Sequence, residues 1–384
     1  MKIILAPDSF KGSLSSEEAA AAMARGIMRV APDAELIRIP MADGGEGTVS
    51  TILSFVSGKE IWVPVYGPSR KWTDAVYGIL EDGSAILEMA QASGLHLVPP
   101  SDRNLSEAST FGTGQMILSA LDHGCRKVYI GLGGSATNDG GMGMAEALGI
   151  RFYDPRGHIL TGKGSSLPHI HRIDVSGMDD RIRETEFIVM CDVQNPLCGV
   201  DGASVVYGPQ KGASQEEIHR LDEGLRNYAR RVKACKGMNI LDVPGAGAAG
   251  GLGAGLVAFC QAKLVSGCHA ILDLCGFDDL LSNTDLVITG EGHIDRSTNF
   301  GKVAYSIAIR AAKQGVPVVA IGGGVCHQST TDEAPLFIAE SSVTDIMTLS
   351  YAMEHAASLL EVAAERVMRL INLGAKLNTV NKNE

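Results

Sequence analysis

Aromatic residues make up only 5% of the 384 positions, which leaves little material for the stacking platforms on which bases lie. No run of Lys and Arg interrupts a chain of formal net charge −11, and a nucleic-acid-binding face normally shows as such a run. The eight cysteines include no C-x-x-C pair. Cys191/Cys198 and Cys268/Cys275 are spaced too widely for a zinc knuckle, so free thiols of a cytoplasmic protein are expected. The start, "MKIILAPDSF", has too few apolar residues before Asp8 for a signal peptide. Residues 243–260 carry no charge, but Pro244 and six glycines make them read as a loop followed by a buried helix, not a membrane span. Neither nucleic acid nor membrane is an expected partner.

Motifs are missing as well. No early strand is followed by G-x-G-x-x-G, a helix and a trailing acid, which argues against hydride transfer to a dinucleotide. No Ser–His–Asp pattern and no Cys/His cage appears. The glycine loop "GLGGSATNDGG" at residues 131–141 lies between a strand and a helix, yet it has no lysine after its glycines and is not a P-loop.

What is present is glycine, at 46 positions, and 45% hydrophobic residues, enough for a large core. Short β-branched runs end in loops rich in Gly or Asp, and helices often follow. "IILA" leads to "PDSFKGS" and a helix from Ser16, with Ser15 and Glu18 as a capping box and Met23, Ile27 and Val30 on one face. "LIRIP" leads to "MADGGEGT", "KVYIGL" to the loop at 131–141, "EFIVMC" to "DVQNPLCG", "DLVIT" to "GEGHID" and "VPVVAI" to "GGGV". A last helix over about residues 351–373 carries Met353, Ala356, Leu360, Ala363, Val367 and Leu370.

This alternation predicts an α/β protein with mostly parallel sheet. Ligands of such sheets sit beyond the carboxyl ends of the strands, where these loops fall. Between them "WTDAVYGILEDGSAILEMAQ" reads as a hairpin turning at "EDGS", and residues 159–178 read as loop. The chain therefore divides into residues 1–68 with 276–384, and an inserted mixed α/β lobe over 69–275.

Each loop admits a chemical and a plain reading. Asp8, Ser9 and Lys11 bring an acid, a hydroxyl and a cation to one turn, for Mg²⁺, a proton or a phosphate, or form an Asx turn with a solvated lysine. Asp43 and Glu46 suit a hard cation or a hydroxyl-bearing substrate, or complement a helix N-terminus. Asp192 just past a strand, with Asn195 near it, suits a general base. Lys211 sits on a glycine-flanked loop. "PGAGAAGGLGAG" offers bare N–H groups to an anion or simply packs a helix closely. Glu291, His293, Asp295 and Lys302 combine acids for metal with a lysine for phosphate. Phosphoryl transfer asks for cradled phosphates, Mg²⁺ held by acids and an acid beside the acceptor hydroxyl, and this inventory meets that demand.

"APDSFKGSLS", "ADGGEGT", "GGSATNDGG", "CDVQNPLCG", "GPQKGA", "PGAGAAGGLGA" and "TGEGHID" together resemble the bacterial type I glycerate kinase family, in family order across nearly the whole chain. The resemblance implies ATP- and Mg²⁺-dependent phosphorylation of D-glycerate, usually to 2-phosphoglycerate. It also implies two α/β lobes, one Rossmann-like and layered α/β/α, with the site in the cleft between them. The chain departs from the family at "GEGHID", where His293 stands for the usual Arg, and after it, where the usual Gln is absent and Ala304 stands for Pro. Arg296, three residues on, is the compensating cation.

Under this reading Asp192, or else Asp8, orients or deprotonates the hydroxyl, and Lys11 assists. Ser9, Asp43, Glu46, Asn195, His293 and Arg296 contact the substrate. Gly133, Gly134, Ser135, Thr137, Asn138, Lys211 and Lys302 hold the nucleotide. Glu291, Asp295 and Asp139 hold Mg²⁺. The alternatives are a kinase for another small hydroxy acid, since "GLGGSA" also resembles the phosphate loop of the galactokinase and homoserine kinase group, and a catalytically weakened glycerate or nucleotide sensor. Monomer and homodimer both stay open.

Overall fold

The computed structural model describes residues 1–39, 41, 45, 47–295, 303–326 and 337–380. The strands are β1 (Lys2–Pro7), β2 (Glu35–Arg38), β3 (Gly58–Tyr66), β4 (Trp72–Leu80), β5 (Ala85–Glu88), β6 (Lys127–Gly131), β7 (Arg151–Tyr153), β8 (Ile159–Leu160), β9 (Arg172–Asp174), β10 (Glu186–Met190), β11 (Lys263–Val265), β12 (Leu286–Ile294), β13 (Val318–Val325) and β14 (Ala339–Ser342). The chain forms two compact units, Met1–Ala42 with Ile271–Glu384, and Asp43–Ala270.

The first unit is built on a five-stranded sheet of order β14-β13-β12-β1-β2, parallel throughout. Counted within the unit this is the 2-1-3-4-5 order of doubly wound sheets, whose order reverses between its first and third strands. Ile3, Leu5, Leu286 and Ile288 face one core with the helices Ser16–Met28 and Ala356–Val380. The alternate residues Ile4 and Val287 are also wholly buried, as period two requires when both faces are covered. The two helices cross at backbone distance, because a Cβ on Gly26 would run into the Glu361 carbonyl. Arg25 and Arg29 both pair with Glu361 there. The capping box of Ser15 and Glu18 is formed.

In the second unit the sheet order is β11-β10-β6-β5-β4-β3. β5, β6, β10 and β11 run parallel, while β3 and β4 are antiparallel. β4 and β5 form the expected hairpin. β3 falls inside residues 1–68 but pairs with β4 over nine residues and lies in this unit's sheet. Its sequence "GKEIWVPVY" hides a strand behind Pro64, which the sheet edge tolerates. Residues 159–178 are not all loop, for β8 and β9 flank β7 in a small antiparallel sheet. Tyr77, Phe152, Phe187, Tyr228 and Phe259 fill the main core.

Two further expectations need correction. The segments "GEGHI" and "GGGV" are strand, not loop, because glycines let β12 and β13 approach closely. A Cβ on Gly290 would run into the Ile321 carbonyl oxygen, and one on Gly323 would lie 2.5 Å from that of Gly292. The last helix is two, Leu349–Glu354 and Ala356–Val380. Its buried stripe is Leu360, Ala363, Ala364, Val367 and Met368, while Met353 and Leu370 are exposed. Residues 243–260 do hold a buried helix, Ala248–Cys260, and no helix of the described residues is long and apolar enough to cross a membrane. All eight cysteines are free thiols.

Candidate active site

In the second unit, β6 and β10 are parallel neighbours, with Met190 opposite Gly131. A cavity of about 400 Å³ opens beyond their carboxyl ends. Gly133, Gly134 and Ser135 line it from the loop after β6, Asp192 from the segment after β10, and Tyr207 and Lys211 from "YGPQK". Five residues read from sequence thus share one cavity.

Lys211 is its most constrained group. The side chain is 3% exposed, and its Nζ donates to Ser135 Oγ at 2.7 Å and to the Thr137 carbonyl at 2.8 Å. Among the described residues no carboxylate pairs with it. Burial lowers its pKa to about 7, while the charge of Asp139 pulls it back up. Gly212 follows at φ +90°, closing the turn that turns Lys211 inward. Asp192 is exposed, and its Oδ1 accepts from the Gly267 amide at 3.0 Å. An exposed carboxylate on a cavity wall can accept a proton or a hydrogen bond from a ligand.

The rest of the loop at 131–141 behaves differently. Asp139 is wholly buried, and its carboxylate accepts from the amides of Thr110, Gly141 and Gly143 and from Thr110 Oγ1, at 2.8–3.1 Å. Burial pushes its pKa up and these donors pull it down. Asp139 thus ties the loop to residues 110 and 143. Asn138 is buried and donates to Ser204 Oγ, and Thr137 serves through its carbonyl. Asn195 accepts from the Tyr207 hydroxyl at 2.7 Å and donates to the Asp201 carbonyl, bracing its loop.

In "PGAGAAGGLGAG", Ala249, Gly250 and Gly251 have positive φ. A Cβ on Gly250 would strike the Thr137 carbonyl, and Gly140 donates to the Gly250 carbonyl at 3.0 Å. Close packing explains these glycines, while Ala248 and Ala249 reach the cavity wall. Sequence reasoning missed Tyr207 and the alanines as lining residues. Tyr207 lies two residues before Pro209, which with Gln210 leads to Lys211's turn, and that proximity is the available signal.

The first unit gathers its own set where the sheet order reverses. Pro7 is opposite Gly290, and the Asp8 amide donates to the Gly290 carbonyl at 2.8 Å, so Asp8 follows in register beside Glu291. Asp8 Oδ1 accepts from the Ser9 amide at 2.6 Å. Glu291 is buried, His293 is exposed, and His293 Nε2 lies 3.6 Å from Asp295 Oδ2. A Cβ on Gly292 would stand 3.6 Å from the Lys11 amide. Asp8, Ser9, Lys11, Glu291, His293 and Asp295 thus share the ends of two adjacent strands. Asp43, Glu46, Arg296 and Lys302 lie outside the described residues.

Among the described residues no group of three or more His, Cys, Asp or Glu is arranged to hold a metal ion. Mg²⁺ in phosphoryl transfer needs only one or two carboxylates, since the substrate's phosphates supply the other ligands.

The model of the glycerate kinase family matches residues 3–372. The chain belongs to the glycerate kinase family. A relative from Halalkalibacterium halodurans named glycerate kinase is 47% identical, covering 95% of this chain and 97% of its own. The glycerate 2-kinase of Escherichia coli K12 is 42% identical, over 98% and 99%. The crystal structure of a glycerate kinase 2 candidate from Salmonella typhimurium LT2 superposes with a TM-score of 0.86 at 42% identity, over 98% and 99% of the two chains. The protein is thus a kinase enzyme, and a kinase takes its phosphoryl group from a nucleotide.

Proposed function

We propose that the enzyme transfers the γ-phosphoryl group of ATP, bound with Mg²⁺, to a hydroxyl of D-glycerate, giving 2-phosphoglycerate. The observation that carries this reading is Lys211, a buried lysine with no carboxylate partner among the described residues, bonded to Ser135 of the glycine loop in a cavity that Asp192 also lines. Phosphoryl transfer is mostly positioning and charge stabilisation, and in a chain of net charge −11 the cations for two anionic substrates have to be local.

Gly133 and Gly134 offer backbone N–H groups and Ser135 its hydroxyl to the phosphates, and Lys211 neutralises them. Asp192 orients the acceptor hydroxyl or takes its proton, with Asp8 the competing acid. Glu291 and Asp295 hold Mg²⁺ or a substrate hydroxyl, joined by Asp43. Lys11 and Lys302 balance the remaining phosphate and carboxylate charge. Glu46, Asn195, His293 and Arg296 act on the substrate side, Asn195 through the loop it braces.

The test is ADP release in a coupled assay with D-glycerate, tartronate, glycolate and hydroxypyruvate, followed by ³¹P NMR of the product. Turnover highest with D-glycerate and a phosphate on C2 is expected. Measurable glycerate binding without turnover would leave a sensor instead.

A further inference from the structure

A second cavity, of about 250 Å³, adjoins the first, and Lys211 lines both. Ser135 borders the first cavity and its neighbour Ala136 the second. The walls of the second are apolar at Pro68, Val98, Ala108 and Ala136.

Four cations line this cavity, and they are not equivalent. Arg70 pairs with Glu146 at 2.6 Å and lies over the Phe111 ring. Lys163 pairs with Glu107 at 2.6 Å. Arg103 and Lys211 have no carboxylate partner among the described residues. Arg103 Nη1 reaches only the Gln210 carbonyl, at 3.4 Å, and its Nε is buried without a partner. A Cβ on Gly212 would lie 3.4 Å from Arg103 Cβ, so the Arg103 stem packs on the turn that carries Lys211. A buried guanidinium N–H without an acceptor is left for a ligand to satisfy, and an anion seated on the turn that carries Lys211 and packs Arg103 would favour the charged form of the buried lysine.

We propose that this second cavity receives the nucleoside end of the phosphoryl donor, with Arg103 and Lys211 gripping its phosphate chain where the two cavities meet. The proposal rests on the reading of the first cavity as the phosphoryl-transfer site, and adds to it a donor subsite with Arg103 as a binding residue. A small anion alone would use the two cations and leave the apolar walls idle. A nucleoside triphosphate uses both, laying its base against Pro68, Val98, Ala108 and Ala136 and its phosphates on the charged end. A cavity pair of this size falls within the ordinary range for ligand sites.

The test is titration calorimetry of the whole enzyme with Mg²⁺, using ADP and inorganic tripolyphosphate as separate probes. Arg103→Met should weaken both probes by about 10- to 100-fold, the worth of a hydrogen bond to a charged group. Asn104→Trp places a large ring on an exposed wall position of the second cavity. It should weaken ADP at least about 10-fold and leave tripolyphosphate within about twofold, which also shows that the variant is folded. The KM for D-glycerate should stay near that of the unmodified enzyme in both variants. Unchanged ADP affinity in Arg103→Met, equal loss of both probes in Asn104→Trp, or a rise in glycerate KM alone would each overturn the proposal. The titrations need no turnover, so they can fail while D-glycerate phosphorylation stands, and that activity can fail while they succeed.

Discussion

Lys211 Nζ donates to Ser135 Oγ at 2.7 Å, across 76 residues of sequence. The glycine loop that lacks a lysine of its own thus receives one from a turn far along the chain. That single contact joins a phosphate-type loop to a cation, and it makes the protonation of Lys211 a property of the site.

Burial holds the Lys211 pKa at about 7, against an ordinary 10.5. The unfolded chain keeps this proton to higher pH, so above about pH 7 the folded state binds fewer protons, and this group's contribution to stability rises with pH until its ordinary pKa. Below pH 7 both states are protonated and the contribution is flat. A phosphate favours the charged form. ADP binding near pH 8 should therefore take up close to one proton, and near pH 6 almost none. Calorimetry in buffers of different ionisation enthalpy reads this directly. Lys211→Met should abolish the uptake, and a buffer-independent enthalpy near pH 8 for the unmodified enzyme would refute it.

The hydrogen bonds of Asp139 to Thr110, Gly141 and Gly143 make its replacement a test of fold against metal. Asp139→Asn places an amide where donors converge and strands buried N–H groups, so it should cost about 2–4 kcal/mol of stability. Urea unfolding measures that loss. The Mg²⁺ dependence of the residual activity should keep its midpoint. A small stability change with a large rise in the Mg²⁺ requirement would favour Asp139 as a metal ligand.

Glycines that look alike in sequence should respond in opposite directions. Gly290→Ala drives a Cβ into the Ile321 carbonyl and toward Met23, and should destabilise by about 1–3 kcal/mol. Gly374 lies exposed in the helix Ala356–Val380 with open space around it, and Gly374→Ala should stabilise by up to about 1 kcal/mol. Thermal unfolding of the two variants checks both signs.

Much of the fold is legible because β-branched runs and period-3.6 helices state it locally, as with "IILA", "KVYI" and the box of Ser15 and Glu18. The family motifs also bring Gly133, Ser135, Asp192 and Lys211 into view. Other features depend on the partner a residue meets. The strand character of "GEGHI" and "GGGV" comes from glycines facing each other across β12 and β13, which no one segment reveals. Asp139 looks like a ligand in sequence, and only the fold brings Thr110, distant along the chain, to its carboxylate. Arg103 carries no local signal, and its interest arises from the turn it packs against and from having no carboxylate partner among the described residues.

The central claim is that phosphoryl transfer takes place in the cavity that Lys211 and Asp192 line. Steady-state kinetics of Asp192→Asn tests it most directly, because Asn keeps the oxygen that accepts from Gly267 and the side chain is exposed. A fall in kcat of about 10²- to 10⁴-fold, the usual worth of a positioned acid or base, is expected, with an unchanged unfolding temperature. A kcat near that of the unmodified enzyme would contradict it.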